Sequence, residues 1–106
     1  MSLEVIILPQ CEKELKTLSS DVIEDFLDAV SKLQDGLSLT MPLSRPMNSI
    51  HISLYELRLK DKKGIYRVFY YLKKSEAIYV VHAFKKKTQK TPIRTIQLIK
   101  TRLKGI

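Results

Sequence analysis

Two tight turns divide residues 54–88, LYELRLKDKKGIYRVFYYLKKSEAIYVVHAFKKKT, into three strand-length pieces. From Tyr55 to Lys60 the pattern has a period of two: Tyr55, Leu57 and Leu59 alternate with Glu56, Arg58 and Lys60. Such alternation sends apolar side chains to one face of a sheet and charged ones to the other. Asp61-Lys62-Lys63-Gly64 has hairpin chemistry, with Gly available for a positive φ. Ile65–Leu72 is apolar on both faces and is expected to be the central strand. Lys73-Lys74-Ser75-Glu76 is the second turn, and Ile78–Phe84 is the third strand, running into Lys85-Lys86-Lys87-Thr88. A three-stranded antiparallel meander follows.

The flanks supply cover for this sheet. Leu3–Leu8 is β-branched and apolar, a short strand ended by Pro9. Cys11, Leu15 and Leu18 then recur at helical spacing, with Glu12, Lys13, Glu14 and Lys16 assigned to the other side. Ser19-Ser20-Asp21 breaks that helix and caps the next, for which Asp21 and Glu24 have capping-box spacing. Val22, Ile23, Phe26, Leu27, Val30 and Leu33 form its apolar face, and Gly36 is its stop. Residues 37–53 show no sustained period and read as a connector. A last helix is expected after Thr91 as N-cap and Pro92 at the first helical position, with Ile96, Ile99 and Leu103 inward. Lys100, Arg102 and Lys104 suit its C-terminal dipole. The fold class is α+β, in the order β-α-α-β-β-β-α, with an N-terminal helical hairpin, a small antiparallel-rich sheet and a C-terminal helix. One domain over residues 1–106 is expected.

Charge is divided unevenly. Residues 1–53 carry four basic and eight acidic side chains, a balance of −4; residues 54–106 carry fifteen basic and three acidic, a balance of +12. Asymmetry of this size points the basic half toward a polyanion or an acidic protein. The single Cys11 excludes an internal disulfide, and with only His51 and His82 besides, neither a structural zinc nor another cofactor is expected. The apolar runs are too short to span a bilayer and the N-terminus lacks a basic n-region, so a cytoplasmic protein is expected.

Arg67 is the lone charge on the central strand and needs either a partner, such as Glu56, or an opening to water. Cys11 falls on an apolar stripe, as a small core residue does. His82 lies inside a strand, where a core imidazole and a titrating group near neutrality are both reasonable. Tyr66, Tyr70 and Phe84 are either core or stacking surfaces for bases.

The element order, together with LYELRLKDKKGIYRVFYY and VVHAFKKKTQKTP, resembles the RelE/HigB superfamily of bacterial and phage-type toxins. The nearest resemblance is to the HigB-like, phage-derived branch, with its L-x-E-L-R strand, Y-R-x-x-Y strand and h-x-x-F-x-K-K-x-x-x-x-P terminus. It implies the toxin of a type II toxin–antitoxin pair. The expected activity is a metal-independent endoribonuclease (an mRNA interferase) that cuts messages on the ribosome. The expected partner is a HigA-like antitoxin of the helix-turn-helix type. Carried over by position, Arg67 contacts the scissile phosphate, Arg58 is a basic position of the preceding strand, and Lys86 stabilises the phosphate, with Lys85 or Lys87 as one-residue slips. Glu56 is either a base or a holder of Arg58 or Arg67. Lys60, Lys85, Lys87, Tyr66, Tyr70 and Phe84 are candidate RNA contacts. No aromatic residue or histidine follows Phe84, where many relatives place one, so His82 or a lysine is left to move protons. The alternatives are a gyrase-inhibiting toxin of the ParE kind and a non-catalytic nucleic-acid-binding module.

Overall fold

The computed structural model describes residues 3–74 and 76–106, so Ser75 of the second turn and the first two residues lie outside it. The elements are β1 (Glu4–Ile7), α1 (Pro9–Leu15), α2 (Ser20–Gln34), β2 (Ser44–Pro46), β3 (Leu54–Asp61), β4 (Gly64–Lys73), β5 (Ala77–Lys85) and α3 (Ile93–Leu103). The five strands form one sheet in the order β1-β5-β4-β3-β2, with β4 central as its apolar sequence requires. β1 adds parallel to β5 at one edge, and the other pairs are antiparallel.

The α+β class and the meander match the sequence reading. One strand was hidden in it. Ser44–Pro46, within the aperiodic residues 37–53, pairs with Tyr55–Leu57 at the far edge. Three residues are too few to display a period, and Pro46 is tolerated only at an edge.

The sheet is covered on both sides. Tyr55, Leu57, Leu59, Tyr66, Val68, Tyr70, Ile78 and Val80 meet Cys11 and Leu15 of α1 and Val22, Phe26, Val30 and Leu33 of α2. On the other face Leu54, Phe69 and Val81 pack with Ile99 and Leu103 of α3. α3 covers only part of that face, and the rest is the basic surface described below.

Local signals were displaced by a residue or two. α1 ends at Leu15, so Leu18 lies in the turn that follows. Ser19, rather than Asp21, caps α2, its hydroxyl accepting from the Val22 N–H at 3.2 Å. Asp21 sits in the first turn, where its charge still suits the dipole. Gly36 closes α2 with φ +84°; its N–H reaches the Leu33 carbonyl and the Leu37 N–H reaches that of Lys32, a Schellman pattern. In the first hairpin the Asp61 carboxylate accepts from the N–H groups of Lys63 and Gly64, at 2.8 and 3.2 Å.

Candidate functional site

Register places the candidate residues in rows across β3, β4 and β5. Directly paired residues of neighbouring strands share a face. Glu56, Phe69 and His82 form one row, and Arg58, Arg67 and Phe84 the next. Lys60 pairs with Ile65, whose carbonyl accepts from the Lys86 N–H at 2.7 Å, so Lys86 continues the third row just past the end of β5. Arg45 joins from β2, opposite Glu56. Arg58, Arg67 and Lys86 therefore share one face, with Lys60 at its margin.

Glu56 and Arg67 are each 1% exposed. The Glu56 carboxylate lies 3.2 Å from Arg45 Nη2 and 3.5 Å from Arg67 Nε. Arg67 turns its other nitrogens away: Nη1 donates to the Thr91 hydroxyl at 3.2 Å and Nη2 to the Gln89 carbonyl at 3.0 Å. The segment after β5 thus folds back over the guanidinium. The contact also explains why Thr91 does not cap α3. Its hydroxyl is engaged by Arg67, and the cap position is Pro92, without a side-chain bond. Burial, opposed by Glu56 and assisted by Arg58 and Arg45, pulls the Arg67 pKa down, yet a guanidinium remains charged.

Four cations, Arg45, Arg58, Arg67 and Lys86, lie on this face with one carboxylate, Glu56, which contacts the first and third. The consequence is visible at Lys86, whose pKa is lowered by partial desolvation and then by Arg67, Arg58 and Arg45, with Glu56 opposing. Lys86 Nζ reaches the Gln89 side-chain carbonyl at 3.5 Å. Beside Arg67 a cleft of about 380 Å³ is bordered by His82, Phe84, Lys85, Lys87, Thr88, Pro92 and Thr95. A smaller hollow on the other flank is bordered by Met41, Pro42, Arg45, Glu56 and Arg58.

The remaining candidates separate. Phe84 lies on the basic face, its ring stacked on those of His82 and Phe69. Tyr66 and Tyr70 do not join it. They belong to the core under α1 and α2, at 7% and 3% exposure, and the Tyr70 hydroxyl is bonded to Ser44. Lys85 pairs with Tyr66 and so starts from the opposite face. Its exposed side chain borders the cleft from the rim, as Lys87 does from the loop.

His82 sits in a network the sequence reading missed. Its Nδ1 lies 2.9 Å from Glu14 Oε1. Arg102 donates from Nη1 to Glu14 Oε1 and from Nη2 to Oε2, both at 2.9 Å, and from Nη1 to the Val81 carbonyl at 2.8 Å. Burial raises the Glu14 pKa, but the bonds from Arg102, His82 and the Ala83 N–H outweigh it and leave the carboxyl lowered. Burial lowers the His82 pKa against the opposing pull of Glu14. By sequence spacing alone Glu14 falls on the polar side of α1 and Arg102 suits the C-terminal dipole of α3. The available signal was spacing: each stands three residues after an inward residue, Cys11 and Ile99.

Among the described residues no group of three or more His, Cys, Asp or Glu side chains could hold a metal. Among the same residues no helix is long and apolar enough to cross a membrane.

The family described as phage-derived protein Gp49-like matches residues 13–104. Among solved structures, a free-state mutant of the E. coli toxin RelE superposes with a TM-score of 0.68 at 15% identity, over 100% of this chain and 99% of that one. No curated protein is significantly similar in sequence. The chain belongs to the phage-derived Gp49-like protein family, on the fold of the RelE-like toxins.

Proposed function

We propose that the protein is the toxin of a toxin–antitoxin pair and acts as a metal-independent endoribonuclease on mRNA at the ribosome. The observation that carries this reading is the excess of positive charge on ordered strands. Arg45 and Arg67 contact the one carboxylate, Glu56, and Arg58 and Lys86 lie on the same face, with an open cleft beside Arg67. Such a site favours a bound phosphate. RNA carries its own nucleophile, the 2′-hydroxyl, and needs a protein only to align it, neutralise the phosphate and move two protons. DNA lacks that hydroxyl.

The burial of Arg67 refines the roles. Its guanidinium is sealed from water, with Nη1 and Nη2 donating to Thr91 and Gln89 and Nε facing Glu56, so it sets the field and holds the loop. The half-buried Arg58 and Lys86 are the cations free to meet the phosphate, and Lys60, Lys85 and Lys87 guide the strand around it. Glu56 holds Arg45 and Arg67. Lys86, with its lowered pKa, is the proton donor to the leaving 5′-oxygen. Phe84 offers the stacking surface. A HigA-like, helix-turn-helix antitoxin is the proposed neutralising partner, its acidic segments attracted to the +12 half of the chain. Action on translating ribosomes places the protein in the cytoplasm.

The test is primer extension on a message being translated with and without the protein. Codon-phased cuts are expected with the wild type and are expected to vanish in Arg58→Gln/Lys86→Gln, whose folding is checked by thermal melting. An uncut message contradicts the proposal.

A further inference from the structure

Proton transfer from the 2′-oxygen needs a base, and the cations above cannot supply it. The buried network around His82 can. Glu14 comes from α1, His82 from β5 and Arg102 from α3. An ionised carboxylate 2.9 Å from Nδ1 requires the proton to be on Nδ1. Arg102 Nη1 also reaches Nδ1, at 3.3 Å, but it makes shorter bonds of 2.9 Å to Glu14 Oε1 and 2.8 Å to the Val81 carbonyl, so the 2.9 Å contact between Nδ1 and Glu14 sets the tautomer. The neutral ring is thereby fixed with its lone pair on Nε2. That atom has no hydrogen-bond partner among the described residues and is absent from the buried unpaired atoms, and the residue keeps 8% exposure. His82 borders the cleft with Arg67, Phe84 and Lys87. It is also the diagonal neighbour of Arg67 across β4 and β5, a separation of about 7–8 Å.

We infer that His82 Nε2 is the proton acceptor of the cleavage step and that Glu14, clamped by Arg102, is the residue that positions it. The inference rests on the ribonuclease reading. In the step the 2′-hydroxyl proton passes to His82 Nε2 as the 2′-oxygen bonds to phosphorus. The phosphorus–5′-oxygen bond breaks, the 5′-oxygen takes a proton from Lys86, and a 2′,3′-cyclic phosphate remains. His82 then releases its proton to water and Lys86 regains one. The charged groups facing the imidazole are Glu14 on α1, Arg102 on α3, Arg67 on β4, and Lys85 and Lys87 at the cleft rim. A merely structural tie among three elements needs no unpartnered Nε2 and no border with the cleft.

Two readouts decide it. Nitrogen-15 spectra of the imidazoles, assigned with His51→Gln, are expected to show His82 as the Nδ1-protonated neutral tautomer. Glu14→Gln is expected to yield a mixture. In single-turnover cleavage His82→Gln is expected to lose about 10²–10⁴-fold and to abolish the acid limb of the pH–rate profile. Glu14→Gln is expected to move that limb to lower pH, because the carboxylate that raises the His82 pKa is gone. An Nε2-protonated tautomer in the wild type, or an unchanged acid limb in Glu14→Gln, overturns the inference even if His82→Gln fails to fold. Full-rate cleavage by His82→Gln that still depends on Arg58 and Lys86 removes the base and leaves the ribonuclease reading intact. No cleavage by the wild type removes both.

Discussion

Arg67 and Glu56 meet diagonally across β4 and β3, Nε to carboxylate oxygen at 3.5 Å, each almost sealed from water. Neither of these two atoms has a hydrogen bond among the described residues, so the contact is held by charge alone. Removing one partner leaves a buried charge short of its counterion, which costs up to about 3–5 kcal/mol and less here, because Glu56 keeps Arg45 and Arg67 keeps Thr91 and Gln89. Arg67→Met and Glu56→Gln are each expected to lower stability in urea unfolding, by about 1–3 kcal/mol, and the double variant by less than the sum. Additive losses contradict the pairing. A dead Arg67→Ala variant is therefore weak evidence for catalysis, and Arg58 and Lys86 are the better probes.

Thr91 gives a second test. Its hydroxyl serves Arg67 instead of capping α3. Thr91→Val leaves a buried guanidinium donor unpaired and is expected to cost about 1–3 kcal/mol, with Thr91→Ser restoring stability. If Thr91→Val matches the wild type in urea unfolding, the loop does not hold Arg67.

The Glu14–His82 pair sets the response to acid. The His82 pKa is lowered from 6.5 in the fold, so the unfolded chain binds more protons as pH drops below that value, and stability falls. Glu14, lowered from 4.5, adds a loss with the same sign at lower pH. His82→Gln is expected to flatten the decline in melting temperature just below pH 6.5 and to leave the later one. Equal slopes in both proteins contradict the buried neutral imidazole.

Cys11 is fully buried, and desolvation with the nearby Glu14 charge pushes its thiol up to about 12. Thiolate is the reactive form. Ellman's reagent at pH 8 is expected to leave the folded protein unmodified and to label it stoichiometrically in denaturant. Rapid labelling of the native protein contradicts this placement.

Long, strongly periodic stretches were legible in sequence. The alternation at Tyr55–Lys60 and the doubly apolar Ile65–Leu72 gave the meander and the face carrying Arg58. Arg67 announced its need for a partner, and Glu56 is that partner. What sequence hid depends on contacts between distant segments. Glu14 lies 68 residues from His82 and 88 from Arg102, and no local pattern marks such a meeting. Tyr66 and Tyr70 illustrate the limit of composition. Aromatic strand residues look alike until the pleat assigns a face, and here the pleat gives both to the core.

The central claim is that this basic face cuts RNA through the RNA's own 2′-hydroxyl. Its most direct test maps the ends left on a message by the protein on translating ribosomes, comparing wild type with Arg58→Gln/Lys86→Gln. The account predicts 2′,3′-cyclic phosphate ends with the wild type, none where the cut nucleotide is replaced by its 2′-deoxy form, and none with the double variant. Uncut message, or cleavage that persists at the 2′-deoxy position, contradicts it.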